Sequence, residues 1–307
     1  MLDRPTPSQL NRGWVYRDRI DRRYAGWTVL EFYCRRYSHS IVSEWQQRIE
    51  TKQILLNDCP TTCETRLQCG QELSYHRPPW LEPPVPLDFT IVYEDADLLV
   101  VNKPAGLPVL PGGGFVEHTL LGQLQQRYPD PPPVPIHRLG RGTSGLMLLA
   151  RSPQARAALS QQMRDRQILK VYRALASGCD LPDEFTITQA IGKVPYPPLG
   201  SLYAAVESGL AAESSCCVVR RDRESCLLDV TIATGRPHQI RIHLAAAGCP
   251  LVGDPLYAIG GQPYPNQQSL PGDGGYHLHA MQLAFDHPHR QQPMHLVCDP
   301  PEVLTVA

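Results

Sequence analysis

Apolar residues fall at helical spacing near the start of this chain and at strand spacing through most of the rest. Val29, Phe32 and Tyr33 share one side of a helix. Thr28-Val29-Leu30-Glu31 has the spacing of a capping box, in which each end of the motif satisfies a free backbone N–H at the other. Ile41, Val42, Trp45 and Ile49 predict a second helix, with Ser40 as its cap. Gln53-Ile54-Leu55-Leu56-Asn57 then reads as a short strand entering a turn at Asp58, so residues 25–76 predict a compact α/β module. From Leu87 onward strands dominate. Leu98–Val101 and Leu146–Ala150 are continuous apolar runs, suited to strands covered on both faces. Ser152-Pro153 opens a helix with a capping hydroxyl and proline at the first position; Ala155, Ala158, Leu159 and Met163 supply its apolar face. Leu228, Val230 and Ile232 alternate as a half-buried strand does, and Gly248 suits the end of a helix that begins near Pro237. Strands and helices do not alternate strictly. The pattern therefore predicts an α+β body on a mixed, largely antiparallel sheet rather than a doubly wound one.

Proline divides this pattern. Residues 78–86, PPWLEPPVP, hold five prolines in nine positions, which stops any helix or central strand and favours a stiff extended linker. The predicted organisation is a module over 1–77, a linker over 78–86 and a larger domain over 87–307. A second proline run, residues 129–135, and a Gly/Pro/Asn/Gln-rich stretch from Gly260 to Gly275 read as loops inside the larger domain. No stretch of about 18 consecutive apolar residues is present, which excludes a membrane-spanning helix. The first twenty residues lack the apolar segment of a secretory signal, and Asp18 and Asp21 argue against a transit peptide, so a cytoplasmic monomer is expected.

Charge adds a little more. The net charge is −1, but 25 of the 29 basic residues are arginine. Arginine forks match phosphates and stack on bases, although genome base composition produces the same bias. Seven arginines (12, 17, 19, 22, 23, 35 and 36) stand against Asp18, Asp21 and Glu31 at the front of the module; the edge suits phosphate contacts or a plainly solvated face. The ten cysteines read as reduced thiols. Cys59, Cys63 and Cys69 form the one tight group, without a partner pair at metal-ligand spacing, and Cys216-Cys217 read as small strand residues.

Three segments are polar amid apolar surroundings: Asn102 to Pro108, His137 to Gly145, and Thr234 to His243. Each puts flexible backbone and cationic or hydrogen-bonding side chains at an element terminus, where free N–H groups attract anions. Taken singly, each is also what a structural corner looks like. His137, His238 and His243 lack a Glu or Cys to complete a zinc spacing. Ser144 lacks a G-x-S-x-G elbow, and Lys103 lacks a phosphate-binding loop.

In this order, the segments resemble the RluA-type family of RNA pseudouridine synthases. The resemblance is carried by Leu98 to Pro108 (LLVVNKPAGLP), His137 to Gly145, Lys170 to Leu175 (KVYRAL), Thr234 to His243, Gly253 to Tyr257 (GDPLY) and Leu278-His279-Ala280, and it covers roughly residues 88–290. The module in front resembles an S4-type RNA-binding module, with Glu50-Thr51-Lys52 in place of its usual Gly-bearing turn. The resemblance implies the sheet of the pseudouridine synthases. It implies an isomerase that flips a uridine out of structured RNA, ribosomal or transfer, breaks C1′–N1 and rejoins C1′ to C5, with no cofactor and no metal. Tyr172 maps to the active-site tyrosine, Arg241 to the arginine that pairs with the catalytic aspartate, and Arg138 to the lip of the pocket. Arg22, Arg23, Arg35, Arg36, Arg138, Arg141 and Arg236 are the expected RNA contacts. The aspartate itself belongs at the fourth position of H-R-L-D, and here that residue is Gly140. The alternative is therefore a catalytically silent relative that binds or remodels RNA. Two expectations follow. Another carboxylate meets Arg241, Asp254 being the nearest one borne by a motif, or the pocket is open to a phosphate; and Gly140→Asp raises activity.

Overall fold

The computed structural model describes residues 10–306 apart from Ser38, Cys179 and Gln267. The chain divides into two compact units between Pro83 and Pro84, inside the proline-rich stretch.

The first unit runs β1 (Trp14–Arg19), α1 (Val29–Arg36), α2 (Val42–Glu50), β2 (Ile54–Leu56), β3 (Cys59–Pro60) and β4 (Glu72–Arg77). Its four strands form an antiparallel sheet in the order β1-β4-β2-β3. The capping box is formed: Thr28 Oγ1 accepts from the Glu31 N–H at 3.2 Å, and Glu31 Oε2 accepts from the Thr28 N–H at 2.8 Å. The second helix is not capped as expected. Ile41 holds the cap position without a side-chain bond, and the Ser40 hydroxyl instead accepts from Arg48 Nη1 at 2.9 Å. Asn57 and Asp58 both take left-handed backbone, φ 48° and 59°, which is the turn that closes a two-residue hairpin between β2 and β3. Phe32, Tyr33, Trp45, Ile49, Ile54 and Leu73 are fully buried together as this unit's core.

The second unit contains β5 (Thr90–Glu94), β6 (Leu98–Lys103), α3 (Leu120–Arg127), β7 (Val134–Pro135), β8 (Ser144–Ala150), α4 (Pro153–Arg164), β9 (Leu169–Ser177), β10 (Glu184–Ile187), β11 (Ile191–Tyr196), β12 (Gly200–Ala205), β13 (Ser214–Arg221), β14 (Ser225–Ile232), α5 (Gln239–Ala246), β15 (Leu278–Asp286) and β16 (Pro293–Val297). The main sheet follows the order β10-β13-β14-β9-β15-β8-β6-β5, with β16 on β15 and β7 on β8; β11 and β12 form a separate hairpin. Every pairing is antiparallel except β15 with β8. The proline run at 129–135 is thus not wholly loop, because its last two residues pair with β8.

The apolar runs are buried on both faces, as continuous runs must be. Leu99, Val101, Met147 and Leu149 pack on one face with Leu120 and Leu124 of α3 and Ile240 and Leu244 of α5. Leu98, Val100, Leu146 and Leu148 pack on the other with Ala155 and Leu159 of α4. Helix α4 starts as its sequence predicts, the Ser152 hydroxyl accepting from the Ala155 N–H at 3.1 Å and Pro153 filling the first turn. The single parallel contact depends on Gly145. Its φ is +107°, and a Cβ there would stand 2.3 Å from Ala280 O, so only glycine lets β8 and β15 approach this closely. No helix among the described residues is long and apolar enough to cross a membrane.

Candidate active site

Strand β9 lies between β14 and β15 and carries Tyr172 opposite Val230 and Ala280. Where β14 ends, residues 234–238 turn into α5; where β15 begins, Tyr276 precedes it; and His137–Thr143 lead into β8. These termini surround a cleft of about 100 Å³ whose lining includes Arg138, Gly140, Tyr172, His238, Arg241 and Tyr276. Tyr172 is buried, which pushes its phenol up to about 12, so it stays protonated at neutral pH. Among the described residues nothing hydrogen-bonds its hydroxyl, which leaves it available to a ligand.

Arg241 is not left without a carboxylate. Its Nε and Nη2 each donate to Asp254 at 2.7 Å, in a bidentate pair whose side chains are 3% and 1% exposed. Asp254 Oδ1 also accepts from the backbone N–H groups of Leu256 and Tyr257, at 2.8 and 3.3 Å. The motif-borne candidate is thus the one that meets Arg241. It is committed to the backbone and to the guanidinium, and it does not line the cleft.

The space beside Gly140 is taken by a phenol. A Cβ at Gly140 would stand 2.9 Å from the Tyr276 oxygen, and one at Gly142 would stand 2.9 Å from its Cζ. An aspartate at position 140, expected to raise activity, would therefore meet the Tyr276 side chain rather than open space. The Tyr276 oxygen lies 3.3 Å from Thr143 Oγ1, and the Arg241 guanidinium packs 4.2 Å from the ring centroid.

The other polar motif residues brace the backbone. Gln239 Oε1 accepts from the Thr234 hydroxyl at 2.7 Å and the Arg236 N–H at 3.0 Å, while its Nε2 donates to Glu213 O at 2.8 Å. The N–H of Arg236 at this helix start is thereby already used, contrary to the expectation of donors free for an anion. His238 Nδ1 meets the Tyr257 oxygen at 2.7 Å, and that hydroxyl donates to Tyr203 O, so the ring carries its proton on Nδ1. Burial and the nearby Arg241 charge hold His238 down at about 3. His137 Nε2 accepts from the Leu148 N–H at 3.1 Å, and burial with the charge of Lys170 holds it down at about 4. His243 is fixed between Gln189 O and Ser214 Oγ. Lys103 is fully buried and donates to Pro104 O, Leu107 O and Arg141 O at 2.8, 2.9 and 3.3 Å. It clamps the first polar segment to the loop that carries Gly140 and lines neither the cleft nor the larger recess beside it.

A larger recess of about 520 Å³ adjoins the cleft and shares Arg138, Tyr172 and Arg236 with it. It adds Arg164, Arg166 and Lys170, so five cations and no carboxylate line it. Burial pulls the Lys170 ammonium down. Sequence reasoning missed this group, although Arg164, Arg166 and Lys170 stand within seven positions from the end of α4 into β9; it missed Tyr276 because the surrounding loop has no periodic pattern.

The expected RNA contacts fall in different places. Arg138 and Arg236 line the recess, the latter with its Nε on Ala211 O at 3.1 Å. Arg141 stands 3.9 Å from Asp273 and packs over Phe115, outside both linings. In the first unit Arg22 is exposed, Arg23 pairs with Asp21 at 2.6 Å, and Arg36 pairs with Asp18 at 3.5 Å. Arg35 lies over Trp27, 3.9 Å from Glu31. Cys59, Cys63 and Cys69 are not brought together. Among the described residues the one group near enough to share an ion is Asp95, Asp97 and His287. There Asp95 Oδ2 already accepts from Tyr93 and His287, and Oδ1 from two backbone N–H groups, so the cluster is a tied turn.

Residues 97–246 match the model of the RNA pseudouridylate synthase family. An RNA pseudouridine synthase of Synechocystis is 50% identical over 278 residues, covering 90% of this chain and 96% of that one. A ribosomal large subunit pseudouridine synthase D of Neisseria meningitidis is 33% identical, covering 82% and 69%. The solved structure of human RNA pseudouridylate synthase domain containing 1 superposes with a TM-score of 0.56 at 26% identity, over 72% of this chain and 86% of that one.

Proposed function

The chain belongs to the RluA-type family of RNA pseudouridine synthases, and from that premise we propose that it isomerises a uridine within structured RNA to pseudouridine, using the cleft at Tyr172. The observation that carries this reading is the placement of a buried aromatic ring at the junction of a small cleft and a recess lined by five cations and no acid. A base that has left its stack brings its phosphates with it. Arg164, Arg166, Lys170 and Arg236 are arranged to receive those phosphates, while the uracil enters the cleft against Tyr172. Arg138, exposed at the boundary of the two, is placed to fill the gap left in the stack or to hold the backbone beside it. The Tyr172 hydroxyl handles a proton at the base. Arg241, spoken for by Asp254, holds the cleft's wall in shape.

The first unit is read as an S4-like RNA-binding module presenting Arg22, Arg23, Arg35 and Arg36 to a second stretch of the same RNA, with the proline-rich residues 78–86 as the tether. Ribosomal RNA is the favoured target, because the Neisseria relative is named for the large ribosomal subunit. The test is incubation of purified protein with ribosomal and transfer RNA transcripts, digestion to nucleosides and quantification of pseudouridine. Conversion of one uridine in one RNA is expected, with Tyr172→Ala lowering it by more than about 100-fold. RNA binding without conversion in any transcript would instead establish a silent RNA-binding relative.

A further inference from the structure

The cleft contains no carboxylate among its described lining residues. Glycosidic exchange at C1′ can be split into two easier steps by a group that bonds the sugar carbon while the base turns over. The nucleophilic oxygens that line the cleft belong to Thr143, Tyr172 and Tyr276. Tyr172 sits mid-strand on β9, at the junction with the recess. Tyr276 is placed differently. Its oxygen stands 2.9 Å from where a Gly140 side chain would begin, so it fills the volume an aspartate there would fill. Both glycines of the Gly140-Arg141-Gly142 segment make room for this one ring. Neither has a left-handed φ, so what they supply is the absence of a side chain rather than backbone freedom. On its other side the ring is fixed by Arg241, itself immobilised by Asp254, and the side chain is only 5% exposed.

We propose that Tyr276 is a catalytic residue of this enzyme, its phenolic oxygen acting at C1′ of the target nucleotide where Gly140 supplies nothing. The proposal rests on the synthase reading above. In the first half of the exchange the phenolic oxygen bonds C1′ as the C1′–N1 bond breaks. The electron pair leaves with the uracil, and the phenolic proton passes to N1. After the base turns, C5 bonds C1′ and the C1′–O bond breaks, its electron pair returning to the tyrosine oxygen. The proton leaving C5 is passed by the Tyr172 hydroxyl to that oxygen. The products are a C5–C1′ bond, an N1–H and an unchanged tyrosine, with nothing else consumed. Tyrosine serves as a nucleophile toward anomeric carbon in other glycosyl chemistry.

Tyr276→Phe deletes only the oxygen and keeps the ring against Gly140, Gly142 and Arg241. Release of tritium from RNA labelled at uridine C5 is measured for wild type and variant, with thermal melts and RNA affinity alongside. The expected result is a fall in kcat of more than about 1,000-fold with an unchanged melt and unchanged RNA Kd. Release by Tyr276→Phe within tenfold of wild type overturns the proposal while leaving the synthase reading in place. A wild-type protein that releases no tritium from any RNA it binds removes the synthase reading, and this proposal with it.

Discussion

Arg241 and Asp254 face each other through two 2.7 Å bonds in a fully buried setting, and the carboxylate also accepts from two backbone N–H groups. Removing one charge of such a pair leaves the other buried and unpaired. Asp254→Asn is therefore expected to destabilise the protein by about 3–5 kcal/mol in urea unfolding. A reacting carboxylate would behave oppositely, its loss abolishing turnover with little change in stability, so the measurement separates the two roles. Lys103 is a buried cation of another kind, with three carbonyl oxygens but no counter-charge. Burial pulls its ammonium from 10.5 down to about 7. Between those values the unfolded chain binds more protons than the folded one, so this residue's contribution to stability rises with pH across that window and is flat outside it. Lys103→Met removes the titration and leaves the carbonyls unpaired, at a cost of about 1–3 kcal/mol. The stability of wild type relative to Lys103→Met is expected to grow from pH 7 toward 10.5, by up to about 1.4 kcal/mol per pH unit. A difference that stays constant over that range would mean that Lys103 keeps its ordinary affinity for protons inside the fold.

At the scale of elements, what could be read in advance was whatever has a local cause. The α1 capping box, the Ser152-Pro153 start of α4 and the apolar runs of β6 and β8 each carry their own instruction, a hydroxyl, a fixed φ or an unbroken apolar stretch, and each forms. Strand β1 had no such signal. Nearly all its residues are exposed, so it shows no buried alternation, and only its pairing with β4 makes it a strand. The candidate site divides in the same way. The motif segments put Tyr172, Arg138 and Arg236 at the cleft, because a motif marks where strands and helices end. The Gly253–Tyr257 motif likewise offers Asp254 to Arg241, whereas Tyr276 depends on which chain ends meet in space. The Gly260–Gly275 stretch that leads to Tyr276 has no period, so nothing along the sequence reported that Tyr276 packs against Gly140 and Gly142. The polar motif residues Gln239, His243 and Lys103 mislead in the opposite direction. They look like ligand-binding groups in one dimension, and in three they satisfy backbone atoms of neighbouring segments.

For the molecule as a whole, a net charge of −1 conceals an uneven distribution of charge between the first unit and the recess. In the first unit Arg17, Arg23, Arg35 and Arg36 stand within 4 Å of Glu72, Asp21, Glu31 and Asp18 respectively. Exposed pairs of this kind are weak, yet each carboxylate cancels part of the field its arginine would offer a phosphate. The recess beside Tyr172 has no such compensation: Arg138, Arg164, Arg166, Lys170 and Arg236 line it without an acid. Binding driven by phosphate neutralisation releases counterions in proportion to the charges engaged, so the slope of log K against log salt counts them. Replacing Arg164, Arg166 and Arg236 together by Ala is expected to flatten that slope by about two to three, since each contact contributes about 0.7 to 0.9. The matching change of Arg22, Arg23, Arg35 and Arg36 removes more positive charge but frees Asp21, Glu31 and Asp18 only from pairs already made, and it should flatten the slope by no more than about one. Titration of a labelled structured RNA at several salt concentrations checks both. A larger effect from the first unit than from the recess would move the main phosphate track away from Tyr172 and onto the module that precedes it.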